Sequence, residues 1–237
     1  RLLIYGQLYV PAARTQKMPM VIISHGFGGN IPGVEDYAPV FARSGIVAYV
    51  FDFCGGGQAS RSDGSTTDMS VLTEVEDLSA VLDMAKSLPF VDERNIFLLG
   101  ESQGGLVSAL VGAKRSTEIQ GLILLYPAFR IEGDFYDHKS RGEPWPRSQF
   151  GVPIGKRYAD DARALDTYAS IAKFTGNVLI LHGDRDSMVP RPYSQKTLNA
   201  YQSATLVVMP GAGHGFYGHD LTLAGQEAVT FITSLVK

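Results

Sequence analysis

The chain has 237 residues, of which 45% are hydrophobic and 19% charged, with a formal net charge of −3. Its isoelectric point lies near 6.0. This balance is enough for one large globular domain and gives no basic field for nucleic acid. No apolar run approaches the roughly 18 residues needed to span a bilayer. The lone Cys54 allows no internal disulfide and no cysteine metal site. A single free thiol fits a reducing compartment, so a cytoplasmic location is the expectation. Because the chain opens on Arg1, an upstream piece or a removed signal peptide stays open.

Apolar runs alternate with helical patterns, as βαβ units require. Strands are predicted near Leu2 to Val10 and Met20 to Ser24, the second running into His25-Gly26-Phe27-Gly28-Gly29-Asn30. A helix near Tyr37 to Ser44 precedes a strand from Ile46 to Asp52. The next helix, Val71 to Ser87, repeats Val71, Leu72, Val75, Leu78, Val81, Leu82 and Ala85 at helical spacing and ends at Ser87-Leu88-Pro89. Glu74, Glu76 and Asp77 on it read as a solvated face, and Arg61 to Gly64 as a locally bonded turn. A strand from Asn95 to Gly100, a helix from Gln103 to Ala113 and a strand from Gly121 to Tyr126 follow. From Pro127 to about Thr175 no strong periodicity appears, and the stretch is rich in aromatics, charges, prolines and glycines. A loop of that length in a compact domain is usually functional. The pattern then resumes with a strand from Asn177 to His182, a helix from Pro192 to Asn199, a strand from Ala204 to Met209 and a helix from Leu221 to Val236.

The chemistry centres on Gly100-Glu101-Ser102-Gln103-Gly104-Gly105. Strand, sharp turn and helix with serine at the apex form a nucleophile elbow. The flanking glycines are required because side chains two positions from the serine would clash in so tight a turn. A serine hydroxyl needs a base, and the base needs an orienting carboxylate. Of the five histidines, at 25, 138, 182, 214 and 219, only His214 lies in a glycine loop after a strand near the C-terminus. The acid is Asp184 or Asp186, in the loop after the strand ending at His182. Ends of parallel strands are where α/β sheets place such groups. Glycines after Ser24 let backbone N–H groups approach a developing oxyanion, and the two donors are assigned to the N–H groups of Phe27 and Gln103. His25 is expected to hold that loop, His182 to pack under the acid loop, and His219 to be solvated or to support the site. Asp52 is read as the anchor of Cys54 to Gly57, with Cys54 itself not catalytic.

These motifs identify the chain as similar to the α/β hydrolases along essentially its whole length. Within that superfamily it resembles bacterial cinnamoyl and feruloyl esterases. The resemblance rests on His25-Gly26-Phe27, Phe51-Asp52-Phe53 with its glycine loop, Met69 to Asp77, the Ser102 motif and His182-Gly-x-x-Asp186-x-x-Val189. It implies a mostly parallel central sheet flanked by helices in a single domain over residues 1–237. It also implies a cap inserted over about 127–175, between the strands near 121–126 and 177–182. It selects Asp186 as the acid and leaves Asp184 as a turn former. Two positions depart from those esterases: Glu101 where histidine is frequent, and Cys54-Gly55-Gly56-Gly57 where Asn-Gly-His-Gly is usual. The family's first strand would lie before Arg1.

The implied activity is serine carboxylic-ester hydrolysis through an acyl-enzyme, with a small-molecule ester as partner and no metal or organic cofactor. The cap's aromatics could form a slot for a flat ring, which favours hydroxycinnamate esters. Trp145 and Tyr158 are the candidates for the acyl pocket, and Asp134 for its polar partner. A short-chain carboxylesterase or acylglycerol hydrolase is the alternative. A serine peptidase would usually carry a further large domain. A non-turnover small-molecule receptor on the same fold is the alternative outside catalysis. A homodimer is left open.

Overall fold

A computed structural model describes residues 2–13, 16–142 and 144–236. Seven strands form one sheet: β1 (Gly6–Tyr9), β2 (Met18–Ser24), β3 (Val47–Phe51), β4 (Val91–Glu101), β5 (Gly121–Leu125), and then β8 (Asn177–Gly183) and β9 (Ala204–Met209). Between β5 and β8 a small hairpin supplies β6 (Ser148–Gln149) and β7 (Val152–Pro153). The spatial order in the large sheet is β1-β3-β2-β4-β5-β8-β9. β1 runs antiparallel to β3, and the other pairs are parallel.

The central strands read as continuous apolar runs because both faces of the sheet are covered. Side chains alternate between the faces. Met20 and Ile22 point into one core, with α2 (Val71–Ser87) and α3 (Ser102–Lys114). Val21 and Ile23 point into the other, with α1 (Ala38–Arg43) and α8 (His219–Leu235). α7 (Pro192–Ala200) connects β8 to β9. Register aligns Phe51, Ser24, Gly100, Leu124, Ile180 and Leu206 in one row across the sheet. The loops that follow β2, β4, β8 and β9 therefore open at the same edge, which brings the sequence motifs together.

α2 starts at a capping box in which Ser70 and Thr73 satisfy each other's backbone. Its apolar stripe matches the expected spacing, but the solvated acidic face does not hold. Glu76 is exposed, whereas Glu74 is buried and Asp77 half-buried. Glu74 lies three residues after Val71 and four before Leu78, on the stripe itself. Asp77 accepts the Cys54 N–H at 2.8 Å. Asp52, by contrast, ties down flanking segments, accepting the Ile31 N–H at 2.6 Å and the Arg61 N–H at 2.7 Å. Residues 61–64 are also not a purely local turn. Ser62 and Asp63 accept the N–H groups of Tyr5 and Leu3, each at 2.8 Å, so this loop pins the segment before β1.

The stretch from 127 to 175 is not irregular. It carries α4 (Ile131–Ser140), the β6–β7 hairpin, α5 (Lys156–Ala164) and α6 (Thr167–Ile171). α5 buries Tyr158, Ala159 and Ala162, so two alanines replace the large apolar residues that would have revealed its period. Phe135, Ile154 and Tyr158 join the core shared with α2 and α3.

Candidate active site

Ser102 opens α3 directly after β4, with φ of 50°. A non-glycine residue held there costs on the order of 1–3 kcal/mol and persists because its surroundings impose it. A Cβ at Gly100 would lie 2.1 Å from the Gly104 carbonyl oxygen, and one at Gly104 would lie 2.3 Å from that of His25. Both are backbone contacts that cannot relax, so the spacing of the glycines is steric in origin. The turn sets Ser102 beside the loop after β2, where a Cβ at Gly26 would be 3.2 Å from the serine Cβ.

His214 comes from the loop after β9, and its Nε2 lies 2.9 Å from Ser102 Oγ. Its Nδ1 lies 2.8 Å from Asp186 Oδ2, and the Asp186 side chain is 0% exposed. The other oxygen, Oδ1, accepts the N–H groups of Met188 at 2.9 Å and Val189 at 2.8 Å. The carboxylate is thus held by its own loop, with one oxygen committed to the imidazole. The His214 ring also packs edge-on against Tyr126, at 4.8 Å between centroids. Asp184 instead accepts the Gly211 N–H at 2.7 Å in an exposed turn.

Beneath the acid loop lies His182. Its Nε2 donates to the Val189 carbonyl at 2.8 Å, which leaves Nδ1 to accept from the Ser194 hydroxyl at 2.7 Å. Burial holds this imidazole below its ordinary range. The same Nε2 lies 3.3 Å from Asp186 Oδ2, so His182 presents an N–H to the carboxylate. His25 is neutral for a similar reason. Its Nε2 accepts the Phe53 N–H at 3.1 Å, Nδ1 faces the Gly26 carbonyl at 2.8 Å, and burial depresses its basicity. It braces the glycine loop. His219 begins α8, and the His138 side chain lies outside the described residues. Burial, with Asp77 nearby, pushes the Cys54 thiol up to about 12, which suppresses the thiolate.

Glu101, one residue before Ser102, carries a carboxyl that burial raises to about 7, partly offset by the hydroxyls of Tyr126 and Tyr37. Neither the paired tyrosines nor the buried Glu74 stand out in the sequence, where acidic residues look like surface.

A cavity of about 400 Å³ opens beside Ser102, lined on its apolar side by Phe27, Ile131, Phe150, Met188 and Val189. Gln103, Arg130, Asp134 and Gln149 add polar groups. Phe27 and Gln103, the two assigned donors, line this cavity together with Ser102. Asp134 reaches the cavity wall, but it is paired with Arg130 at 2.8 and 3.0 Å. The two aromatic candidates are placed differently. Trp145 packs half-buried against the core and is not among the lining residues. Tyr158 is 0% exposed and sits behind Phe27, its hydroxyl donating to Gln103 Oε1. Phe150, 68% exposed at the hairpin turn, is the aromatic residue that the inserted segment adds to the cavity lining beside Phe27. Among the described residues, no three His, Cys, Asp or Glu side chains are arranged to hold a metal ion. No described helix is long and apolar enough to cross a membrane.

The sheet order, the helices on both faces and the elbow define an α/β hydrolase. The family model described as "Serine aminopeptidase, S33" matches residues 15–160, and the one described as "TAP-like protein" matches residues 160–234. The chain belongs to this hydrolase family. It is similar in structure to Est1E from Butyrivibrio proteoclasticus with ferulic acid bound, at 29% identity and a TM-score of 0.89, over 99% of this chain and 96% of that one. In sequence it is similar to the monoacylglycerol lipase of Mycolicibacterium smegmatis, 25% identical over 93% of this chain and 90% of the relative. It is also similar to the monoglyceride lipase of Rattus norvegicus, 31% identical over 46% of this chain but only 34% of the rat enzyme's length.

Proposed function

We propose that the protein is a serine carboxylic-ester hydrolase that works through an acyl-enzyme. The observation that carries this reading is the unbroken relay from Ser102 Oγ through His214 to Asp186 Oδ2, at 2.9 and 2.8 Å. His214 Nε2 takes the serine proton as Oγ attacks the ester carbonyl, and Asp186 holds the Nδ1 proton and stabilises the imidazolium. The N–H groups of Phe27 and Gln103 receive the oxyanion, helped by the positive end of the 13-residue α3. The imidazolium then protonates the departing alcohol, and water repeats the sequence to release the acid.

The substrate is a hydroxycinnamate ester, and residues 127–175 act as a cap that shapes its pocket. Two things support this: a cavity of about 400 Å³ with Phe150 at its mouth and Asp134 and Gln149 in its wall, and the likeness to a structure with ferulic acid bound. The second reading, an acylglycerol hydrolase, is favoured by the monoacylglycerol lipase relatives. Measuring kcat/KM for methyl ferulate, a monoacylglycerol and p-nitrophenyl butyrate, with wild type and Ser102→Ala, tests both levels. Loss of at least about 10³-fold in the variant is expected. Near-normal turnover by Ser102→Ala would sink the mechanism. A preference for the glycerol ester would replace the substrate, and a single slow turnover with persistent occupancy would make the protein a receptor.

A further inference from the structure

Tyr158 of α5 is a fully buried tyrosine that the cavity does not use. Its hydroxyl donates to Gln103 Oε1. Its ring meets Phe27 edge-on at 5.6 Å and lies tilted against Phe135 of α4 at 5.3 Å. The Gln103 amide is held from the other side by α2. Its Nε2 donates to Glu74 Oε2 at 2.8 Å and lies 3.9 Å from Met69 Sδ. Burial raises the Glu74 carboxyl well above its ordinary range, with the Gln103 contact partly offsetting it. Gln103 is in consequence wedged between the core helix and the inserted segment, in the first turn of α3. Phe27 is wedged in the same way between Tyr158 and Phe150, the latter at 6.2 Å.

We propose that Tyr158 is a positioning residue for the oxyanion hole, one side chain of the inserted segment bearing on both residues whose N–H groups receive the developing charge. The inference rests on the serine-hydrolase reading above. Oxyanion donors act only when aimed within a few tenths of an ångström of the developing charge, and they must be held there before the reaction. Here the two donors belong to separate loops, after β2 and after β4. Tyr158 is the contact common to their side chains, by hydrogen bond to Gln103 and by ring packing to Phe27. Docking of α5 is thereby coupled to assembly of the hole, although Tyr158 touches no substrate. The inserted segment would then contribute to rate as well as to choice of substrate.

Tyr158→Phe tests this with p-nitrophenyl acetate, whose acyl group has no buried residue to reach. The ring stays against Phe27, while Gln103 Oε1 loses its donor. The expected result is a fall in kcat of about tenfold, a fraction of what removing a whole oxyanion donor costs, with KM changed less than about twofold. The affinity of a trifluoromethyl ketone, which places an oxyanion in the hole, should fall in parallel with kcat/KM. Gln103→Met keeps the backbone N–H but breaks the same link, so its loss should not add to that of Tyr158→Phe in the double variant. Tyr201→Phe removes a buried hydroxyl without a partner, away from the site, and should leave kcat unchanged. A folded Tyr158→Phe with normal kcat, a loss confined to KM, or additive losses would each overturn the proposal. If wild-type turnover does not depend on Ser102, it is the parent reading that has failed.

Discussion

Asp186→Asn is the sharpest probe of the site, because the structure says what each amide atom would meet. The Asn carbonyl can keep the two N–H donors of Met188 and Val189 only by sitting where Oδ1 now sits. Its NH2 group then faces His214 Nδ1, 2.8 Å from the present Oδ2. A donor there forces the imidazole into the tautomer with its proton on Nε2, aimed at Ser102, and the base is lost. The same NH2 also faces His182 Nε2, 3.3 Å from Oδ2. His182 cannot turn to accept, because that nitrogen donates to the Val189 carbonyl and Nδ1 accepts from Ser194. Flipping the amide would instead point a donor at two backbone N–H groups. Neither orientation is satisfied. The expected cost is about ten-thousandfold in kcat, or about 5.5 kcal/mol. Asp184→Asn can keep its contact to the Gly211 N–H through the carbonyl and should stay within about twofold of wild type, since surface changes of this kind cost about 0.5 kcal/mol or less. Steady-state kinetics on p-nitrophenyl butyrate measures both. Equal losses, or a larger loss in the Asp184 variant, would refute the assignment of the acid.

Two further predictions concern stability. Burial raises the Glu74 carboxyl well above its ordinary range, so the native state keeps this proton to a higher pH than the unfolded chain, which releases it from about pH 4.3 upward. Stability must therefore fall as pH rises above the ordinary carboxylate range, and Glu74→Gln removes the slope, so its Tm relative to wild type should climb as pH rises from about 4.3. A pH-independent difference would show that Glu74 is ionised in place. Gly104→Ala drives a Cβ into the carbonyls of His25 and Ser24, at 2.3 and 2.6 Å, and should cost at least about 3 kcal/mol, or roughly 6 to 12 °C for a chain of this size. Gly133→Ala, with nothing within 4 Å on α4, should be neutral or slightly stabilising through helix propensity; similar losses at both sites would contradict the steric account of the elbow.

The legible parts of the sequence are those where one local constraint dominates. An elbow needs glycine at fixed offsets, and buried parallel strands need apolar runs, so Gly100, Gly104 and the strands around them stand out. Glu74 was equally written in the α2 spacing, yet its charge type suggested solvent. Its hydrogen-bond donor in space, the Gln103 amide, comes from a segment 29 residues away in the chain. The inserted segment was opaque because its helices are short and α5 packs through alanines. The placement of Tyr158 against Phe27, and of Phe150 in the cavity wall, depends on how α5 and the hairpin dock. No periodicity encodes that.

Substrate choice is the least local property of all. Ser102, His214 and Asp186 follow strand ends of the main sheet, whereas much of the cavity wall is drawn from the inserted segment and the loop after β8. Asp134 illustrates the constraint. Each of its oxygens already accepts from Arg130, whose third nitrogen donates to the Met188 carbonyl of the acid loop. The ion pair therefore ties α4 to the loop that carries Asp186. A carboxylate offers about four lone-pair sites, so Asp134 can still accept, and in the proposed pocket it would select a neutral hydroxyl donor rather than an anion. A phenolic ring and a glycerol head both meet that demand. Polar recognition alone does not separate them, and the discrimination must come from shape, from whether Phe27, Ile131 and Phe150 close on a flat ring or leave room for a chain. On the proposed reading the walls beside Ser102 decide it, and the Ser102–His214–Asp186 relay is indifferent to the outcome.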